Sequence, residues 1–189
     1  MKSDFEFLST DIPSDLVIET SHPRSYPTAE DSLEFHAARI LLLLKYAGGK
    51  QAKISGRLKL AKYDFFVRYP SYLSKALGSN SKITTNIRPE SPMIRYKYGP
   101  WDKKYYDVFA LLVAKGLVTI SSTKSGDEFS LTDRGHNAVV ELQSPDFEEI
   151  ISRCQLVYQR FKDFSGSQLK SFIYENFPEI VAQPISSEI

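Results

Sequence analysis

Between residues 33 and 44, Leu33, Ala37, Ile40, Leu41 and Leu44 recur at the spacing of one helical face. Phe35, Ala38, Leu42 and Leu43 leave little of the opposite face polar, and a helix apolar around its circumference belongs at the centre of a fold. Thr28-Ala29-Glu30-Asp31 has the form of a capping box with an acidic first turn, and Gly48-Gly49 predicts the stop. His36 is expected to pack inside this helix rather than to ligate. Further on, Leu58, Ala61, Phe65 and Tyr69 share a second helical face. Arg57, Lys59, Lys62 and Arg68 are expected to point elsewhere, and Pro70 to end the element. A short helix follows over residues 71–77. The Ser- and Asn-rich residues 78–90 read as a polar loop and internal hinge.

From residue 93 the period changes. Residues 93–98 read as an aromatic-basic strand closed by Gly99-Pro100, and residues 101–115 as a helix with Tyr105, Phe109, Leu112 and Val113 inward. Gly116 stops it. A β-branched run over 117–120, a polar turn over 121–127 and a return strand over 128–131 lead to Thr132, a good N-cap for another helix. Helix, hairpin, helix is the outline of a winged helix. The predicted fold is therefore mainly α with a small β-wing, a winged helix-turn-helix-like domain with extra C-terminal helices.

Ser144-Pro145-Asp146 opens one of those helices, and Phe147, Ile150, Ile151, Cys154, Val157, Tyr158 and Phe161 form its apolar stripe, a core face or a partner seam. Gly166-Ser167 separates a last helix over residues 168–177. The predicted organisation is an extended, proline-broken arm over residues 1–27, a winged-helix-like domain over 28–143, a helical extension over 144–178 and a flexible tail over 179–189. Ile180, Val181 and Ile185 suit that tail to docking.

The chain has 189 residues and a net charge of +1, enough length for a real core and no surplus charge. That balance hides a segregation. Residues 1–34 hold eight acidic residues against two basic, and residues 45–75 hold eight basic residues against Asp64 alone. Such a stretch is either a solvated face or a surface for nucleic acid or an acidic partner. The single cysteine rules out an internal disulfide, and Cys154 reads as a buried, inert thiol. With no long apolar run and an acidic start where a signal peptide would be basic, a cytoplasmic setting and no membrane contact are expected.

Chemistry is scarce. Gly48-Gly49-Lys50 lacks phosphate-loop spacing, and Gln51 stands where Ser or Thr would bind magnesium. His22, His36 and His136 lie far apart, with no metal-ligand spacing around them. No catalytic residue, metal site or cofactor is expected, and the chain reads as a binding module, not an enzyme. Arg57, Lys59, Lys62, Arg95, Lys97, Lys103, Lys104 and Lys124 are candidate phosphate contacts, without sequence-specific base reading. Tyr96, Tyr98, Trp101, Tyr105 and Tyr106 surround Gly99-Pro100 and either pack the wing base or anchor a partner. Asp64 and Asp102, in basic surroundings, are expected to orient a neighbouring Arg or Lys.

Three stretches carry a family resemblance: His36 to Leu43, then Gly56 to Pro70 with its Leu60-Ala61-Lys62-Tyr63-Asp64-Phe65-Phe66-Val67-Arg68-Tyr69-Pro70 pattern, then Met93 to Asp102 with Tyr105-Tyr106. Over residues 32–135 the chain resembles the middle component of ABC-three-component systems, the small subunits of Lamassu-type bacterial defence complexes. The resemblance implies a non-catalytic adaptor between an SMC-like ABC ATPase and an effector, usually a nuclease, in defence against phages and plasmids. ATP and magnesium would then belong to the partner. A stand-alone winged-helix transcription regulator is the alternative, with the Cys154 helix as its dimer seam; an antitoxin-like partner of another effector is a third.

Overall fold

Helix α1 (Leu33–Ala47) is the axis on which the other layers rest. A computed structural model describes residues 32–78, 83, 92–97, 99–124 and 126–189. The N-terminal arm, the Thr28–Asp31 box, nearly all of the 78–90 loop and Tyr98 lie outside the described residues. The cap that is described is Ser32, whose side chain accepts from the Phe35 N–H at 3.0 Å. As its pattern requires, α1 is buried on most of its circumference, including His36 and Arg39. It ends at Gly48. A Cβ there would stand 2.2 Å from the Leu44 carbonyl oxygen and 2.5 Å from the Lys53 nitrogen, so only glycine lets the chain turn this tightly.

After a 3-10 turn, β1 (Lys53–Ser55) leads into α2 (Arg57–Arg68) and α3 (Pro70–Leu77). Pro70 ends α2 as expected, with Tyr69 before it held out of helical conformation, and it is also the first residue of α3, where its missing N–H costs no hydrogen bond. Arg57 and Lys59 are partly exposed in the first turn of α2, but the basic face does not continue along the helix. Every residue from Leu60 to Arg68 is buried, Lys62 and Arg68 included.

Strands β2 (Ile94–Tyr96) and β3 (Gly99–Trp101) form a small antiparallel hairpin, so Gly99-Pro100 is strand and not its closure. Helix α4 begins only at Tyr105 and runs to Ala114. Its inner face uses Val108 beside Tyr105, Phe109 and Leu112, while Val113 is 47% exposed. Strands β4 (Val118–Thr123) and β5 (Gly126–Leu131) make the expected hairpin with longer strands, residues 121–123 and 126–127 being paired strand where the sequence predicts a turn, and β1 adds on the far side of β5, giving the antiparallel order β1-β5-β4. Phe129 sits at its centre, opposite Ile54 and Ile120.

Thr132 caps α5 (Asp133–Glu141), accepting from the Gly135 N–H at 3.0 Å and donating to the Gly116 carbonyl at 2.7 Å. Helix α6 (Glu148–Phe161) lays Ile150, Cys154, Val157 and Phe161 against α1, α2 and α3. That stripe is consumed within the chain, which removes it as a dimer seam. Helix α7 (Gly166–Asn176) starts two residues earlier than its apolar pattern suggests, because Ser165 and Gln168 form a capping box.

The chain end differs from a flexible tail. Pro178–Ala182 is helix α8, with Ile180 buried. Beyond it, backbone hydrogen bonds join Arg95 to Ser186 and Ser187, and Ile189 to Met93, so the last residues extend the β2 edge. The architecture is mainly helical with a small antiparallel sheet. Among the described residues no helix is long and apolar enough to cross a membrane.

Candidate functional site

Three segments far apart in sequence meet at a buried ionic cluster. Arg39 of α1 donates from Nε to Asp64 Oδ1 at 2.8 Å, and Arg68 donates from Nε to Asp64 Oδ2 at 2.9 Å. The Tyr105 hydroxyl of α4 donates to the same Oδ2 at 2.8 Å. Arg68 also pairs with Asp102, whose other oxygen accepts from the Lys104 N–H at 2.8 Å. The guanidinium nitrogens of Arg39 and Arg68 lie 2.9 and 3.2 Å from His36 Nδ1. Asp64 and Asp102 thus orient arginines. Two cations face two carboxylates, and the cluster ties α1, α2 and the start of α4 together.

Burial opposes the charge on Asp64, but the Arg39 and Arg68 charges and the hydrogen bonds from Arg39 and Tyr105 outweigh it and hold its pKa below the ordinary value. Burial likewise opposes the charge on Asp102, and the imidazole of His36, the Arg68 charge and the Lys104 N–H outweigh it, leaving the carboxyl well below the usual range. Both folded-state values lie under the unfolded one of about 3.9. The unfolded chain therefore binds more protons in acid. The cluster's stability is fully present at neutral pH and is lost as pH falls from about 5 through the depressed values. Urea unfolding midpoints should drop steadily below about pH 5, and Asp64→Asn should flatten that dependence.

Next to this cluster a groove of about 1050 Å³ opens between the start of α2, the β2–β3 hairpin and the start of α7. Arg57, Lys59, Lys62 and Lys170 line it together with Tyr96, Trp101 and Tyr106. The rings form a chain, with Trp101 6.0 Å from Tyr96 and 5.9 Å from Tyr106 between centroids. Arg57 is committed: it pairs with Asp127 and donates to the Tyr106 hydroxyl at 3.1 Å. Lys62 donates to the Leu58 carbonyl at 3.1 Å, and burial, with the charge of Lys170 nearby, lowers its pKa to about 8. Burial also lowers the pKa of Lys59.

The candidate residues divide. Tyr105 is buried, hydrogen-bonded to Asp64 and stacked on Phe109, so it is core and not a partner anchor. Trp101 is 8% exposed and shows only an edge to the groove, whereas Tyr96 and Tyr106 are 43% and 60% exposed. Lys62 is buried, out of reach of a broad phosphate surface, and meets solvent only at the groove wall. Arg95 turns its guanidinium to the Gln183 carbonyl. Lys97, Lys103 and Lys124 are exposed and Lys104 half-buried, and none of them lines the groove.

Lys170 and the Ser165–Ser167 start of α7 were missed in the sequence because they lie far along the chain from the other groove residues and reach them only through the packing of α7 on α2. Among the described residues no group of His, Cys, Asp and Glu is arranged to hold a metal ion.

No curated protein and no solved structure matches the chain. Residues 31–183 match the family described as ABC-three component (ABC-3C) system Middle Component 2. That span holds α1 through α8, the buried cluster and the groove. The chain belongs to the ABC-3C Middle Component 2 family.

Proposed function

We propose that this chain is a non-catalytic, cytoplasmic adaptor that bridges an SMC-like ABC ATPase and an effector nuclease in an anti-phage and anti-plasmid complex of the Lamassu type. The observation that carries the reading is the family match across residues 31–183, because a middle component has partner subunits by definition. The exposed side of α4 supports it. Tyr106, Ala110 and Val113 reach solvent there beside Asp107, and α4 contains no Lys or Arg. Such a face suits protein contact, with Val113 as its exposed apolar side chain.

The order α1, β1, α2, α4, β4, β5 supports a winged-helix assignment with α3 and the β2–β3 hairpin inserted before α4. In a stand-alone regulator α4 would be the recognition helix, and a helix without cations makes a poor reader of the major groove. DNA contact, where it occurs, is assigned to the basic groove and to Lys97, Lys103 and Lys124. The test is purification of the tagged protein from its native host. Stoichiometric recovery of a large coiled-coil ATPase and an effector is expected. Recovery of the chain alone as a homodimer under gentle salt would transfer the reading to the regulator.

A further inference from the structure

The groove does not end at the residues that line it. A second cleft of about 650 Å³ contains Lys50, Lys53 and Lys162, and it shares Ser55 and Lys59 with the first. The two clefts meet at the start of α2; Lys53 is paired there with Glu128 at 3.3 Å, and Lys50, Lys59 and Lys162 carry the positive charge on from the first cleft to the second. Asp127 and Asp163 also line them, but Asp127 is taken by Arg57, so Lys59, Lys62 and Lys170 set the sign of the first cleft. The capped N-terminus of α7 opens on the same space and adds partial positive charge. A chain of negative charges fits these clefts better than a single anion, because the cations are spread along them.

The rings decide which polyanion. Tyr96 and Tyr106 are 43% and 60% exposed and line the same groove as the lysines, and Arg57 lies over the Tyr106 ring at 5.5 Å, extending that flat surface. An acidic peptide would use the lysines and leave the rings wet. A duplex hides its base faces inside its own stack. Only an unpaired strand offers phosphates to one wall and bare bases to the other.

We infer that this groove holds a short run of single-stranded nucleic acid, with phosphates along Lys59 and Lys170 and bases stacked on Tyr96 and Tyr106. The inference rests on the reading that this chain contacts DNA, and it narrows that contact to unpaired strand.

Fluorescence anisotropy of the purified full chain tests it, using a labelled oligothymidylate of about 15 nucleotides, the matching blunt duplex and polyglutamate as competitor. The oligothymidylate should bind about tenfold or more tighter than the duplex, and its affinity should fall steeply with salt. Lys59→Glu and Lys170→Glu should each weaken it about tenfold or more. Tyr106→Ala should weaken it about 5- to 100-fold and leave duplex binding unchanged. Thermal melting of each variant checks that it folds.

Equal binding of duplex and single strand, with Tyr106→Ala silent, would overturn the single-strand assignment and leave DNA contact standing. Binding of polyglutamate without either oligonucleotide would assign the groove to an acidic peptide instead. Binding of none of the three would remove nucleic acid from this chain altogether, while the adaptor reading would still stand or fall on co-purification.

Discussion

Asp64→Ala should cost about 3–5 kcal/mol of folding stability, as removing one partner of a buried ion pair does elsewhere. Asp64 is wholly buried, and Arg39, Arg68 and Tyr105 all donate to it. Without it two buried guanidinium groups lose the carboxylate they share and the Tyr105 hydroxyl loses its acceptor, and the cost of those buried donors dominates the loss. Asp64→Asn should recover little of this. Oδ1 accepts from Arg39, and Oδ2 accepts from Arg68 and Tyr105. Whichever way the amide is placed, its NH2 meets a guanidinium donor. Urea denaturation monitored by circular dichroism measures both variants. A loss under about 1 kcal/mol for Asp64→Ala would show that the cluster is incidental to the fold.

Phe161→Ala is the second large effect, also about 3–5 kcal/mol. The Phe161 ring stacks on Phe66 at 4.6 Å and meets Phe172 and Phe164 edge-on at 5.3 and 5.5 Å. Its carbonyl accepts from the buried Tyr63 hydroxyl at 2.9 Å. Phe161 is the point where α6, α2 and α7 join, so the cavity would open at a junction of three elements that cannot all close on it. Phe161→Leu, which keeps most of the volume, should cost distinctly less. Hydrogen exchange should show α7 losing protection first, since α7 reaches the rest of the molecule chiefly through α2. Uniform loss across all helices would place the junction inside the global unfolding unit instead.

Both predictions concern residues whose type suggested their role only in part. Asp64 and Asp102 stood out as single acids among bases, and pairing them with arginines required nothing beyond charge. That Arg68 would be among the most buried side chains was not legible. A charged residue on an amphipathic helix reads as outward, and Arg68 is inward because Asp64, Asp102 and His36 converge on it from three segments. The groove was half legible. Arg57, Lys59, Lys62 and the aromatic run were visible as clusters, whereas Lys170 reaches them only through the packing of α7 on α2.

What the sequence determined by itself is what short-range physics governs. The apolar circumference of α1, the Thr132 cap, the stripe of α6 and the β4–β5 hairpin depend on residues a few positions apart, and each appears where the period or the cap residue put it. The tertiary structure alone decided the rest. It turned α2 into a buried helix, closed a four-charge cluster, separated Tyr105 from Tyr106 by one step of helix rotation, and laid the last residues along β2. Backbone pairing at a sheet edge and the neutralisation of one buried charge by another use groups that every chain carries, so they leave no periodic trace in the sequence.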